Sequence, residues 1–515
     1  MVKRAGGSLL LSIRIDPGAH QPVSTQLCIA LREMILSGGF APGARLPASR
    51  TLAHDLGLSR TTIIEVFNRL AAEGLIDSQI GSGTFVSKVL AGKRPRSPRA
   101  DAPPAAVAPP RLSNVMAQAV SRFGERQRLP HAPRAFTTAL PAFDAFPVAQ
   151  WARLSAKVLR GPRNDVMGYG DPEGSPQLRR ALASHLRANR GITCDPDQIF
   201  IVGGAQQAFH LIGSTLLNPG DKVWFENPGA IGARNSLVAS GADLVPVPVD
   251  ADGLQVAEGL RLAPDFRLAF VTPSHQHPLG SVMSLKRRFA LLHAAAQAHA
   301  WVIEDDYDGE FFFGARPPPT LKSVDTAGHV IYVGTFSKSL FPALRLGYLL
   351  APPALVGTFR TIMRRFLQGV PSHTQAVVAE FIDEGQFAAH VRRMRATYLE
   401  RYQALFAASR RRLAGLLDVA PTDSGLHTVG HLGPGLCESA ISREADARGI
   451  TASPIGRFAI TPVPHNGLVL GFGSVPPAAI NAGVDVLAEV LEAALRVRAA
   501  VPATPGTTQR VAGRA

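Results

Sequence analysis

The chain has 515 residues, 46% hydrophobic and 18% charged, with 54 Lys and Arg against 39 Asp and Glu, a formal net charge of +15. That length means two to four domains. No apolar run approaches the roughly 18–20 residues of a membrane helix. Leu9–Leu11 is too short for a signal peptide and Arg14 interrupts it. Cys28, Cys194 and Cys437 are odd in number and far apart, which excludes a disulfide framework or a zinc cluster and makes the cytoplasm the expected compartment.

The charge is concentrated at one end. Residues 1–100 hold thirteen Lys and Arg and six Asp and Glu, so a fifth of the chain carries nearly half the excess. A nucleic-acid reader has that footprint. A solvated basic face has it too, and charge alone does not separate the two.

The elements of this end are short helices. Leu27, Ala30, Leu31, Met34 and Ile35 recur at helical spacing. Gly38-Gly39 and Pro42-Gly43 break the chain, Ser49 is expected to cap a second helix closed by Gly57, and Ser59 a third whose inner face is Ile63, Val66, Phe67 and Leu70. Two helices joined through Gly57-Leu58-Ser59 make a helix-turn-helix. Beyond Gly74, Leu75-Ile76 and Thr84-Phe85-Val86 flank Gly81-Ser82-Gly83, a hairpin wing. The N-terminal residues of a recognition helix face bases and phosphates, which here are Arg60, Thr61 and Thr62 behind Ser59. Arg50, at the start of the second helix, is placed for a phosphate, and Gly83 lies on the wing. The run SGGFAPGARLPASRTLAHDLGLSRTTIIEVFNRLAAEGLIDSQIGSGTFV, residues 37–86, resembles the GntR family of winged-helix regulators.

Eight prolines between 88 and 133, with KRPRSPR and PPAAVAPP, mark an extended linker in which VMAQAVSRFG is expected as a short helix. Beyond it β-branched runs alternate with amphipathic stretches: IFIVGG, KVWFEN, ADLVPVPV, RLAFVTP, AWVIEDDY, HVIYVGTF and RLGYLLAP are the strands. That alternation predicts an α/β domain with a mostly parallel sheet, whose chemistry gathers at the C-terminal strand ends.

Four of those ends carry reactive groups. Gly203-Gly204-Ala205-Gln206 turns from strand to helix, which suits an anion or is simply a tight turn. Glu304-Asp305-Asp306-Tyr307-Asp308 is a carboxylate cluster that wants a cation, and no supporting His cluster points to metal. Ser337-Lys338 follows a buried strand, where desolvation frees an amine, and Arg345 lies seven residues on. Ser337 and Arg345 suit a phosphate. The fourth end is Ser274-His275-Gln276-His277-Pro278-Leu279-Gly280. Together these are the parts of a pyridoxal phosphate site.

YGDPEGSPQLRRALASHLRANRG, GGAQQAFHLI, ENPG, TPSHQHPLG, IEDDYDGEF and GTFSKSLFPALRLGYL resemble the fold type I aminotransferases across residues 136–497. The resemblance implies Lys338 as the lysine that holds the cofactor as an internal aldimine, Asp305 as the partner of the pyridine nitrogen with Asp306 as the alternative, and Tyr307 at the ring hydroxyl. It implies Gly204, Ala205, Gln206, Ser337 and Arg345 around the phosphate. His277 is expected either against the ring or packed in its turn, and Tyr169 either at the partner subunit's site or as a plain loop aromatic.

The union resembles the MocR/GabR family of transcriptional regulators. It implies a multidomain chain: an α+β winged helix at 20–88, a Pro-rich linker at 89–135, an aminotransferase-like domain at 136–497 and a disordered tail at 498–515. It further implies pyridoxal 5'-phosphate, a head-to-tail homodimer, promoter half-sites in double-stranded DNA, and a small amine or amino acid effector. A working aminotransferase with an accessory DNA module is the alternative. Three positions depart from the pattern. Ala230 replaces a tyrosine after ENPG, His277 stands where many such enzymes have Asn, and Gly467–Phe472 lacks the arginine for a substrate carboxylate. Arg457, ten residues upstream, is expected either to substitute for that arginine or as a solvated loop residue.

Overall fold

The computed structural model describes residues 13, 15–16, 18–19, 21–79, 82–89, 111–123, 130–314 and 317–500, with side chains through 497. The contacts divide the chain after Pro110 into two units.

In the first unit α1 (Val23–Leu36), α2 (Ser49–Leu56) and α3 (Arg60–Ala72) precede the hairpin β1 (Ile76–Gln79) and β2 (Gly83–Val86). The buried stripe of α1 is Leu27, Cys28, Leu31 and Ile35, so Ala30 and Met34 lie at its edge. The inner face of α3 is Ile63, Val66, Phe67 and Leu70, as its periodicity predicts. Ser59 caps α3, its hydroxyl accepting from the Thr62 amide at 3.1 Å. Ser49 does not cap α2: Ala48 holds the cap position with no side-chain bond, and Ser49 is the first helical residue. Gly57 ends α2 in the left-handed conformation. Gln79 pairs with Gly83 across the wing. Gly81, expected at its tip, lies outside the described residues.

The second unit starts inside the expected linker. α4 (Asn114–Arg122) is capped by Ser113 and is followed by Phe123, which lies beneath the Arg234 guanidinium at 4.2 Å from its ring centroid. Phe123 and Ala119 pack against the large core, and Arg122 reaches Asp243 at 3.8 Å. The PPAAVAPP stretch lies outside the described residues.

The large sheet has the order β3-β10-β9-β8-β7-β4-β5-β6, with the short strand β6 (Gly253–Leu254) at one edge. Its central strands β4 (Lys222–Asn227), β5 (Asp243–Asp250), β7 (Leu268–Val271), β8 (Trp301–Asp306) and β9 (Val330–Thr335) run parallel. β10 (Gly347–Leu350) is antiparallel to both β9 and β3 (Ile199–Val202). The connection from Thr335 to Gly347 is shorter than the dozen or more residues a parallel crossover needs, so the chain returns antiparallel. The middle of each central strand is buried and mostly apolar, as in β7, where all four residues are buried apolar ones. β3, β4, β7, β8 and β9 therefore deliver their C-terminal ends to one edge.

A second sheet, not foreseen as separate, has the antiparallel order β11-β12-β14-β13. It comprises β11 (Leu417–Val419), β12 (His427–Leu432), β13 (Ser453–Pro454) and β14 (Gly467–Gly471), and packs with the helices Gln386–Arg412 and Pro477–Ala500. The last helix carries three residues past position 497. Positions 501–515, the rest of the expected tail, lie outside the described residues.

Candidate functional site

The N-terminal unit presents cations at the start of its recognition helix. Arg50, Ser59, Arg60 and Thr61 are exposed, and Thr62 and Gly83 are half-buried. Among the described residues no carboxylate pairs with Arg45, Arg50 or Arg60, so their charges are available to phosphate. Sequence reasoning passed over Arg45. It is exposed and lies across the wing, where a Cβ on Gly83 would come within 2.8 Å of its Nε. Arg45 could swing away from such a Cβ, but the Gly83 φ of +116° lies where L side chains rarely go and itself favours glycine.

In the large unit the strand ends converge on a cavity of about 470 Å³. All nine cofactor residues expected from the sequence line it: Gly204, Ala205, Gln206, His277, Asp305, Tyr307, Ser337, Lys338 and Arg345. Tyr169 does not line it, and at 91% exposure it faces solvent in the single chain.

Lys338 sits in the short helix Phe336–Ser339 just beyond β9, and its Nζ donates to the Ala139 carbonyl at 2.5 Å. Thr335 caps that helix: its hydroxyl accepts from the Ser337 amide at 3.2 Å and donates to the Ser337 hydroxyl at 3.1 Å. Arg345 follows in the left-handed region, φ +48°, a strained backbone for a residue with a side chain, of the kind that collects at functional sites. Gly204, φ +96°, begins the helix Ala205–Leu216, and the nearest neighbours of an added Cβ there are the guanidinium atoms of Arg345 at 3.8–3.9 Å. A glycine turn, a helix N-terminus and an arginine thus face one space, a setting suited to an anion.

Alternation along β8 separates Asp305 from Asp306. Asp306 is taken up on the far side by Arg190, whose Nε donates at 2.8 Å, and by the Tyr332 hydroxyl at 2.5 Å. Asp305 lines the cavity, with a buried Oδ1 that has no hydrogen-bond partner. Burial, then the charges of Asp306, Asp308 and Glu226, push its carboxyl well up, and Lys338 is the opposing influence. A buried carboxylate in that state calls for a cation or a hydrogen-bond donor. Glu226, at the end of β4, is pushed up to about 7 by burial, although it accepts from the Thr272 amide and hydroxyl and from Gln276.

The Tyr307 hydroxyl donates to the His275 carbonyl at 2.9 Å, and burial and the nearby carboxylates hold its phenol protonated. His277 lies edge-on to Tyr307, His427 and Phe458, so it is both in the cavity wall and packed. His427, Asp308 and Arg457 also line the cavity. Sequence reasoning had no signal for His427. Of the two readings of Arg457, the solvated loop residue does not hold: Arg457 is half-buried in the cavity wall.

Residues 24–86 match the gntR family of bacterial regulatory proteins, and residues 141–463 match the aminotransferase class I and II family. The chain is 38% identical over 481 residues to the probable rhizopine catabolism regulatory protein MocR of Rhizobium meliloti, covering 92% of this chain and 94% of that one. It is 33% identical over 501 residues to the HTH-type transcriptional regulator TauR of Rhodobacter capsulatus, covering 93% and 99%. The α-aminoadipate aminotransferase LysN of Thermus thermophilus, solved with N-(5'-phosphopyridoxyl)-L-leucine, superposes with a TM-score of 0.65 at 26% identity, covering 75% of this chain and 96% of that one. A winged helix joined to an aminotransferase fold defines a DNA-binding transcriptional regulator. The chain belongs to the MocR-type family of helix-turn-helix regulators. Among its described residues no helix is long and apolar enough to cross a membrane.

Proposed function

We propose that this regulator holds pyridoxal phosphate in the 470 Å³ cavity and couples its occupancy by a small amine to the DNA affinity of the winged helix. The observation that carries the reading is Asp305, a buried carboxylate with an orphaned oxygen among eight other residues suited to the cofactor. Pyridoxal phosphate supplies an aldehyde that condenses with primary amines and a ring that withdraws electrons.

The chain's own groups divide the work. Asp305 accepts the ring N–H and keeps that nitrogen protonated, the charge its surroundings call for. Tyr307 would contact the ring hydroxyl. Arg345, the Ser337 hydroxyl and the backbone at Gly204–Gln206 bind the phosphate, charge-assisted at the arginine. Lys338 would hold the cofactor through its side-chain amine. His277 and Phe458 wall the cavity.

The protein acts in the cytoplasm as a head-to-tail homodimer on paired half-sites of double-stranded DNA. Met167, Tyr169 and Phe366, at 72%, 91% and 76% exposure, are large apolar side chains open to a second copy. The ligand favours one of two arrangements of the dimer and so shifts the spacing of the winged helices.

Binding to a promoter fragment, with and without pyridoxal phosphate and then with added amines, tests the reading. Affinity is expected to change at least several-fold on ligand addition. Unchanged DNA affinity in a protein that has bound the cofactor refutes sensing. Turnover of an amino donor with a keto acid would instead favour the aminotransferase alternative.

Arg60→Ala is expected to weaken specific binding by about 1–3 kcal/mol if Arg60 reads a base. A phosphate role would weaken all sequences equally and flatten the salt dependence, so titrations against specific and scrambled DNA at two salt concentrations separate the two.

A further inference from the structure

A buried pair stands behind Tyr307. The His275 Nδ1 lies 2.9 Å from the Asp308 carboxylate and 3.1 Å from the Tyr307 hydroxyl. The His275 and Asp308 side chains are 0% and 1% exposed. The fold closes on them from the small sheet. A Cβ on Gly425, whose φ is +80°, would overlap the His275 ring and come within 2.7 Å of the Asp308 carboxylate. The Gly425 amide donates to the Phe311 carbonyl at 2.8 Å, and the Phe311 amide to the Asp308 carbonyl at 2.9 Å. These bonds pin the turn before β12 to the end of β8. Packing alone does not call for such a pair, since apolar groups of the same shape often serve a core as well or better.

Hydrogen-bond chemistry gives the pair a direction. A carboxylate oxygen accepts, so Nδ1 carries the proton of the neutral His275 ring. Nε2, buried beside Gly280 with no hydrogen-bond partner, is then the bare nitrogen. The Nδ1 proton faces both the carboxylate and the phenol oxygen. A hydroxyl that accepts such a bond is a stronger donor, and its own proton is left to point elsewhere. A bare Nδ1 would instead capture that proton.

We propose that Asp308 and His275 are positioning residues for Tyr307. Asp308 fixes the Nδ1–H form of His275, and that form aims the Tyr307 proton at the ring hydroxyl of the cofactor. This rests on the cofactor reading above.

The pH titration of the cofactor's visible band tests it. A donor at the ring oxygen stabilises its anion, so the neighbouring proton leaves at lower pH. Loss of that donor raises the midpoint, whereas loss of a nearby negative charge alone lowers it. Asp308→Asn offers Nδ1 an amide donor, the exchange that gives a neighbouring histidine the wrong tautomer. It is expected to raise the midpoint by about one pH unit, a tenfold change in the proton equilibrium. His275→Leu should shift it the same way, so the outcome does not hang on one variant folding. His275→Asn, whose amide donor stands near the place of Nδ1, should stay close to wild type. In a Tyr307→Phe background Asp308→Asn should add nothing. The other ionisable groups, Asp305, Asp306 and Glu226 around Tyr307 and His427, His277 and Lys338 beyond His275, are the same in every variant. A lowered or unmoved midpoint in Asp308→Asn, an equal shift in the Tyr307→Phe background, or His275→Asn moving as far as His275→Leu overturns the proposal. Wild-type protein that develops no visible band with pyridoxal phosphate overturns the cofactor reading and the proposal with it.

Discussion

Lys338→Ala is expected to abolish covalent attachment of pyridoxal phosphate. Lys338 is the sole lysine among the cavity-lining residues, so no second amine is in place to substitute. The remaining phosphate and ring contacts still bind, but an affinity loss of about 100-fold, or about 2.7 kcal/mol, is the expected scale. The loss is electrostatic as well as covalent, because Lys338 opposes the upward push on the Asp305 carboxyl. Lys338→Arg separates these contributions: it keeps a cation near Asp305 but cannot condense with the aldehyde. Borohydride trapping followed by peptide mass spectrometry reads the outcome. A cofactor still trapped on Lys338→Ala protein would sink the assignment. In both variants the DNA response to cofactor should disappear while basal DNA binding persists, since the recognition helix is untouched.

Leu70→Ala should do the reverse. Leu70 is fully buried in the small core with Leu27, Ile63 and Val66. Truncating a leucine at such a site costs about 2–5 kcal/mol. A domain of this size rarely has more than about 3–5 kcal/mol to lose. The N-terminal unit is therefore expected to melt at or below room temperature and DNA binding to fail, with the cofactor's visible band retained. Leu70→Met, which conserves volume, should restore binding. Calorimetric scans read the early transition. Full DNA affinity in Leu70→Ala protein would mean that the core drawn from this helix face is wrong.

The sequence was most informative where function depends on neighbours along the chain. Ser59 caps its own helix, the Gly57–Ser59 turn is local, and Lys338 follows a strand recognisable from β-branched residues alone. The four reactive strand ends were legible for the same reason, since parallel strands deliver their C-terminal ends to one edge whatever the details of packing. Ser49 shows the limit at short range: it is chemically suited to a cap, but the helix starts at Ser49 itself.

Tertiary structure decided what depends on facing. Asp305 and Asp306 are adjacent and chemically identical, and alternation along β8 sends them to opposite sides. Only the packing of Arg190 and Tyr332 on one side, and the cavity on the other, assigns their roles. The second half of the Pro-rich linker read as tether because composition is blind to docking, yet α4 and Phe123 are held on the large domain by Arg234. Arg45 meets Gly83 only because the wing folds back. Arg457 enters the cavity wall because hydrogen bonds at Asn227 and Gly229 tie the segment after β13 to the turn at the end of β4, and no spacing rule joins these positions. The opening surplus of +15 thereby divides: part is exposed on the winged helix, at Arg45, Arg50 and Arg60, and part lines the cavity of the large domain at Lys338 and Arg345.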